Sequence, residues 1–544
     1  VIPPLRSPRS HKGRRTAGIV LAVASFVSLL AWAVSSPVGS SPDDDFHLSS
    51  IWCAWGNSGN LCEKVAEPDA RRVPFEVTHP SCFAFDSNKS GTCKADLARQ
   101  PSTDVSRWGN FVGLYPPVYY ATMRAFVTDD VTTSVLTIRA VNAALAVLVM
   151  GAVALLVPAA LRRTMVWAMV LTCVPLTMFV LASDNPSAWA ILSAGTLWVA
   201  YYALFEASGR RRVALGVAVA VTALMGSGAR GDACLYSALA ITAVLVLRWG
   251  TLRRNRGPVL IGAGVIAASA ALFLSSGQAN TASQGLPTPP SFGPEVSNLA
   301  VTVHNVLELP TLLLGVFGAP GAGGLGWLDT PMPALAFYTS LLAAAVAVFA
   351  GLSSMSRPKA VALAGVALCL VAFPLAILAQ NRNAVGVAVQ PRYVLPIIVL
   401  LAGISLLKVD GRARALNLSQ RCLVGAALIG AQSLALHVNL RRYVTGNDVG
   451  GLNLDARKEW WWDTSVGPMM VWAVGTLAFA VVVVIALSMR DDDVVVPVRQ
   501  HDRRARDERI TDQPRALTHS STSDDAPAVE ASSSTATTPD RSER

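Results

Sequence analysis

Charge is what this chain has least of. Only 15% of its 544 residues are Asp, Glu, Lys or Arg, where a soluble globular protein carries about 25%. That excludes an ordinary water-soluble domain. A phosphate-gripping glycine loop is also missing. The glycines between Gly321 and Gly326 lack the Lys-Ser/Thr ending such a loop needs, which argues against ATP-driven chemistry. No C-x-x-C pair occurs among the eight cysteines, so the usual zinc-site spacing is absent. No internal repeat is visible. The net charge of +10 is not a nucleic-acid footprint, because the basic residues sit in short clusters between apolar runs. Examples are Arg162 and Arg163, Arg210 to Arg212, and Arg253, Arg254 and Arg256.

What is abundant is apolar surface, at 52% of residues. Apolar runs long enough to cross about 30 Å of hydrocarbon recur along the chain. They lie near 17–34, 134–160, 164–182, 187–206, 213–228, 233–249, 258–275, 333–352, 359–379, 393–408, 421–438 and 468–488. The expectation is an all-α integral membrane protein with about twelve transmembrane helices. Residues 1–16 form a cytoplasmic N-terminus, 17–490 the membrane domain, and 491–544 a disordered cytoplasmic tail without apolar periodicity. Alternation from the basic N-terminus places nearly every short Lys/Arg cluster inside, including Arg248, Arg357, Lys359, Lys408, Arg412, Arg414 and Arg490. Both termini are then cytoplasmic in a plasma membrane, and the first span is an uncleaved helix rather than a signal peptide. Residues 299–318 are apolar but hold His304, Asn305, Glu308 and Pro310, costly groups in lipid. They read as a re-entrant or interfacial helix within an outer loop, 276–332. In the outer loop 439–467, Arg441, Arg442, Arg457 and Lys458 break the charge rule. They are either solvated or in contact with an anionic headgroup or glycan.

The largest soluble segment is the outer loop 35–133, which carries Cys53, Cys62, Cys82 and Cys93. A loop too small for a good core gains most from disulfides in an oxidising compartment. Four cysteines allow three pairings, of which the local ones, Cys53–Cys62 and Cys82–Cys93, are expected. Cys173, Cys234, Cys369 and Cys422 lie within apolar runs and act as small hydrophobes.

The polar residues that look out of place all fall on the outer side of this topology. Ser41-Pro42-Asp43-Asp44-Asp45-Phe46-His47 follows the first span, and Tyr115-Pro116-Pro117-Val118-Tyr119-Tyr120 precedes the second, which holds Arg139. Ser183-Asp184-Asn185-Pro186-Ser187 lies between spans three and four, Gly228-Ala229-Arg230-Gly231-Asp232 between five and six, and Gln390-Pro391-Arg392-Tyr393 before ten. Singly each is a turn, a helix cap or part of an aromatic belt. Together they supply carboxylates, a histidine and guanidinium groups beside lipid. Arginines fork onto a phosphate, and a carboxylate takes the proton from an attacking hydroxyl. The Asp cluster with His47 offers a second reading, a divalent-cation site.

The segment Pro42-Asp43-Asp44-Asp45-Phe46-His47 resembles the Pro-Asp-Glu-Pro-x-His-like stretch that follows the first helix in a domain-of-unknown-function family of bacterial multi-pass membrane proteins. Pro116-Pro117-Val118-Tyr119-Tyr120, Arg139, Asn185-Pro186-Ser187 and Arg392-Tyr393-Val394-Leu395-Pro396 look similar too, over roughly residues 15–440. That family looks like part of the GT-C superfamily of glycosyltransferases. The resemblance implies a GT-C-like fold and transfer of a sugar from a polyprenyl-phosphate donor to a cell-envelope glycan, lipid or protein outside the cytoplasm, with no cofactor strictly required. It makes Asp43 or Asp44 the base and gives Arg230, Arg392 and Arg139 the donor phosphate. His47 and Asp184 shape the pocket, and Tyr119 and Tyr120 line the lipid entrance or stack on sugar. Asp45, Asn185, Asp232 and Tyr393 complete the substrate-binding set. Asp44 stands where the family has Glu and Asp45 where it has Pro, so the choice of carboxylate stays open. The alternatives are a transporter or flippase of lipid-linked precursors, disfavoured by the scarcity of ionisable groups at the span midplanes, and a non-catalytic envelope scaffold.

Overall fold

The computed structural model describes residues 11–489, apart from 80, 95–101, 286–287, 320, 322, 388 and 409–415. The expected tail 491–544, the first ten residues, and Arg412, Arg414 and Arg490 lie outside the described residues.

A bilayer offers backbone amides no water, so apolar segments close their hydrogen bonds within helices. Eight described helices are long and apolar enough to cross a membrane: Arg15–Ala33, Val131–Leu156, Ser187–Leu204, Arg256–Leu274, Ala334–Gly351, Arg357–Asn381, Leu418–Val444 and Pro468–Ser488. The pair Ala159–Thr172 and Pro175–Leu181 makes a ninth if counted as one span, but it is bent by 103°. Pro175 forces the break, since the residue before a proline is driven out of the helical region, and Val174 is extended. The carbonyls freed there are met: Thr177 Oγ1 donates to Thr172 O, and Gln432 Nε2 to Cys173 O.

The expected count of about twelve is therefore not reached on length and composition. The other three expected segments are helical but fall short. Gly231–Leu247 and Pro391–Leu406 have 17 and 16 residues, and Gly209–Ser227 opens on Arg210, Arg211 and Arg212. Residues 299–318 form the helix Asn298–Gly315. There Asn305 is buried, donating to Asn383 O and accepting from Val385 N, while Leu299 and Leu307 are exposed.

Ser187–Leu204 is the central helix. It is 94% buried, against 17–50% for the other seven spans. Around it pack Val131–Leu156, Ala159–Thr172, Gly209–Ser227, Gly231–Leu247 and Pro391–Leu406. Close approach depends on small residues: a Cβ on Gly403 would sit 2.6 Å from the Trp198 ring, and one on Gly226 would sit 2.6 Å from Ser193 Oγ. The outer helices turn Leu155, Leu260, Phe349 and Leu477 outward, an apolar surface suited to hydrocarbon. Lys359, read from the sequence as an inner-loop anchor, is buried. Its Nζ lies 2.7–3.0 Å from Gly351 O, Ser354 O, Ser405 O and Leu407 O, which share its three N–H donors. One ammonium thus satisfies the carbonyl ends of Ala334–Gly351 and Pro391–Leu406.

The protein is not purely α-helical. The first loop holds a three-stranded antiparallel sheet of Glu63–Lys64, Arg71–Pro74 and Thr103–Ser106. Both expected disulfides are present, Cys53–Cys62 and Cys82–Cys93. The second fastens a small core of Phe83, Trp327 and Tyr443. Arg442 locks that core. Its Nη2 pairs with Asp329 Oδ2 at 2.8 Å and donates to Phe83 O, and its Nη1 donates to Lys89 O. This corrects the reading of 439–467 as a free outer loop. The helix Leu418–Val444 takes in Arg441 and Arg442, and both are buried; Arg441 binds Gly451 O and Asn453 O rather than a headgroup.

Candidate active site at the acidic segment after the first helix

Asp43 is the N-cap of the helix Asp44–Trp52, yet its side chain makes no capping hydrogen bond. Its backbone is left-handed, φ 59° and ψ 25°, a conformation costing a non-glycine residue about 1–2 kcal/mol. An Asp at this position ordinarily accepts from the second or third helical N–H, worth about 1 kcal/mol. Here Oδ2 instead accepts from Arg392 Nη2 at 2.5 Å. Local stability has been given up to aim this carboxylate, the pattern of a functional position. Asn185 Nδ2 donates to Pro42 O at 2.9 Å, holding the turn from behind.

Asp44 points the other way. It is fully buried, accepts from Ser41 N at 3.0 Å and lies 4.0 Å from Arg139 Nη2. Arg139 occupies the middle of this second group. Its Nε donates to Asp184 Oδ2 at 2.8 Å, Nη1 to Ala33 O and Ser36 O, and Nη2 to Pro37 O and Ser40 Oγ. A guanidinium has five N–H donors, and all are engaged. One turn along the same helix, Asn142 donates to Ser183 O and Tyr119 OH and accepts from Trp189 Nε1. Burial, and then the nearby Asp184 carboxylate, raise Asp44 well above the usual carboxylate range against the pull of Arg139. Burial raises Asp184 too, with Arg139 opposing.

The group around Asp43 is different. Arg230 forks onto Asp232 at 2.8 and 2.9 Å, donates to Ser187 Oγ, and lies over the rings of Tyr393 at 4.7 Å and Tyr115 at 5.8 Å. Arg392 Nη2 serves Asp43 and Tyr393 OH, but its Nε and Nη1 are buried with no hydrogen-bond partner among the described residues. Three of its five N–H donors are thus available. His47 Nδ1 shares a hydrogen bond with Tyr120 OH at 2.9 Å, while its buried Nε2 has no partner among the described residues. Burial works to raise Asp43, but Arg392, His47 and Arg230 outweigh it and hold this carboxyl below its usual range. The Asp43 side chain is also 37% exposed, where Asp44 is sealed.

The expected site residues therefore divide. Asp43, His47, Tyr120, Arg230, Asp232, Arg392 and Tyr393 come together. Asp44, Tyr119, Arg139, Asp184 and Asn185 form a support behind them. Asp45 stands at the edge, one oxygen accepting from Phe46 N at 2.9 Å. Asn142 was missed, although a polar residue three positions after Arg139 in an apolar helix shares its face. Among the described residues no three His, Cys, Asp or Glu side chains converge as metal ligands. A surface groove lined by Thr133, Leu136, Thr137, Ala140, Val141 and Ala144 includes none of the site residues.

The family model for predicted membrane proteins, DUF2142, matches residues 26–401. The chain belongs to this family. No curated protein and no solved structure matches it. The DUF2142 region takes in the acidic segment and Arg139, Asp184, Arg230 and Arg392. The Arg442 lock and the last two helices lie beyond it.

His47 gives this DUF2142 protein a testable pH dependence. Burial depresses its pKa from 6.5 to about 3, against the pull of Asp43. Between those values the unfolded chain binds a proton that the folded one refuses, so this term weakens the fold as pH falls through the window. The thermal midpoint of His47→Gln minus that of wild type is expected to grow between pH 7 and pH 5, by up to about 1.4 kcal/mol of stability per pH unit. A constant difference would contradict a neutral buried imidazole.

Proposed function

We propose that this DUF2142 protein is a GT-C-type membrane glycosyltransferase. It transfers a sugar from a polyprenyl-phosphate donor to a cell-envelope acceptor on the outer face. The observation that carries the reading is Arg392: one nitrogen fixes the carboxylate of Asp43, whose backbone is left-handed, while Nε and Nη1 have no acceptor among the described residues. A buried guanidinium rarely leaves donors unmet, and the donor's phosphodiester, which leaves as the lipid phosphate monoester, supplies the oxygens. Arg230, clamped by Asp232 and stacked between two tyrosines, adds a second positive charge.

In this mechanism the donor phosphate binds Arg392. Its negative charge offsets the guanidinium that depresses Asp43, so the carboxylate becomes a better base once the donor is seated. The acceptor oxygen attacks the anomeric carbon and loses its proton to Asp43. The anomeric C–O bond breaks, and the phosphate leaves with the electron pair, stabilised by Arg392. His47 Nε2 offers one further polar contact beside the reacting atoms. The ionisable groups gather at helix ends: Arg230 caps Gly231–Leu247 and Arg392 opens Pro391–Leu406. That placement suits a site at the membrane face rather than a transporter's polar path.

The test is sugar transfer in membrane vesicles from a labelled polyprenyl-phosphate donor pool. Arg392→Gln is expected to lower kcat/KM for donor by about 30-fold or more, the cost of removing a buried charge from its counter-charge. Transfer at the wild-type rate, with equal protein levels, would remove the phosphate site from the proposal.

A further inference from the structure

We infer that Trp108 and Asp45 form a saccharide-binding subsite at the rim of the site, where an acceptor glycan lies across the exposed indole. The inference rests on the glycosyltransferase reading and narrows its acceptor from glycan, lipid or protein to a glycan.

Trp108 follows the strand Thr103–Ser106 in a loop that is fastened on several sides. Asn110 N donates to Ser50 Oγ of the acidic helix at 2.8 Å. The Asn110 amide brackets Tyr115, donating to its O at 3.0 Å and accepting from its N at 2.7 Å. Trp108 N donates to Ser106 Oγ, and the N–H groups of Gly277 and Gln278 donate to Gly113 O and Leu114 O. The indole meets the Phe46 ring edge-on, centroids 5.5 Å apart. Phe46 in turn lies 5.5 Å from His47 and 5.4 Å from Tyr115. Only one ring therefore separates Trp108 from the site.

Despite this fastening, Trp108 is 56% exposed. An indole left this open adds little to the fold, and a large ring in a fixed loop is preorganised to bind. Trp55 makes the contrast. It is exposed to a similar degree, 59%, but Arg124 covers its ring at 5.3 Å. Beside Trp108 stands the half-buried Asp45 carboxyl, which accepts a hydrogen bond from the indole and is held at its edge. A flat aromatic face with an acceptor oxygen at its edge matches a pyranose or furanose ring: C–H groups meet the π face, and hydroxyls donate to the carboxylate. A membrane-belt tryptophan would need no carboxylate and no link to the site.

The experiment uses the full chain in lipid nanodiscs and saturation-transfer NMR with linear tetrasaccharides of glucose, galactose, mannose and arabinose. Wild type is expected to bind at least one of them, Trp108→Ala about tenfold more weakly, and Trp108→Phe close to wild type. In the transfer assay Trp108→Ala is expected to raise acceptor KM by a similar factor with kcat retained. The inference is overturned if no tetrasaccharide binds, if Trp108→Ala binds as wild type does, or if its only effect is weaker association with lipid vesicles. Binding is read without turnover, so the two proposals fail separately. Trp108-dependent binding with no sugar transfer by the wild-type protein removes the enzyme and keeps the subsite. Loss of transfer in Asp43→Asn without Trp108-dependent binding does the reverse.

Discussion

Asp43→Asn is expected to reduce sugar transfer by about 10³-fold, within the range attributed to a positioned general base. The amide is the same size as the carboxylate and still accepts a hydrogen bond from Arg392, so the left-handed turn and the helix Asp44–Trp52 persist. What disappears is the carboxylate proposed to take the acceptor's proton. Asp44→Asn is the matched control. Its carboxyl is sealed against Arg139 and Asp184 and pushed toward its neutral form, so an uncharged isostere changes little at the reacting atoms. Kinetics of both variants at equal protein level, with donor binding measured separately, decide the matter. Equal transfer by Asp43→Asn and wild type would sink the assignment; a larger loss in Asp44→Asn would move the base one residue along.

The second large effect belongs to Arg139. Arg139→Met strips the counter-charge from Asp184 and leaves Ala33 O, Ser36 O, Pro37 O and Ser40 Oγ without their shared donor. Breaking a buried pair on one side costs about 3–5 kcal/mol, a large share of the 5–15 kcal/mol that holds an average domain together. The variant is expected to be recovered in low yield with a strongly lowered thermal midpoint in detergent. Adding Asp184→Asn should restore part of that midpoint, because it removes one stranded charge. A midpoint within about 2 °C of wild type would mean that the network is not structural. The same measurement separates support from substrate contact: Arg139 has no donor left for a phosphate, whereas Arg392 has three.

Much of the candidate site was legible in the chain, because lipid makes polar residues conspicuous. Asp43, His47, Arg230 and Arg392 stood out as costly groups at the ends of apolar runs. Their division into two groups was not legible. Asp43 and Asp44 are neighbours of one type, and only the left-handed backbone at Asp43 turns one toward Arg392 and the other toward Arg139. The loop arginines misled for a related reason. Arg441 and Arg442 looked like solvated charge by position, yet the disulfide-bonded turn at Phe83 and Lys89 folds over Arg442 and supplies its carbonyl partners.

By itself, the sequence determined that this is a helical membrane protein, where its apolar segments lie, and that four cysteines sit together in one outer loop. Those properties follow from composition, which lipid reads directly, and from short-range spacing. The tertiary structure decided which apolar segments are long enough to span, which arginine is a clamp and which still has donors to offer, and which of three consecutive aspartates faces the site. These depend on the partner each polar atom meets across tens or hundreds of residues, as Asp43 meets Arg392 across 349. In a buried, low-dielectric setting that partner sets both the charge state and the chemistry of the group.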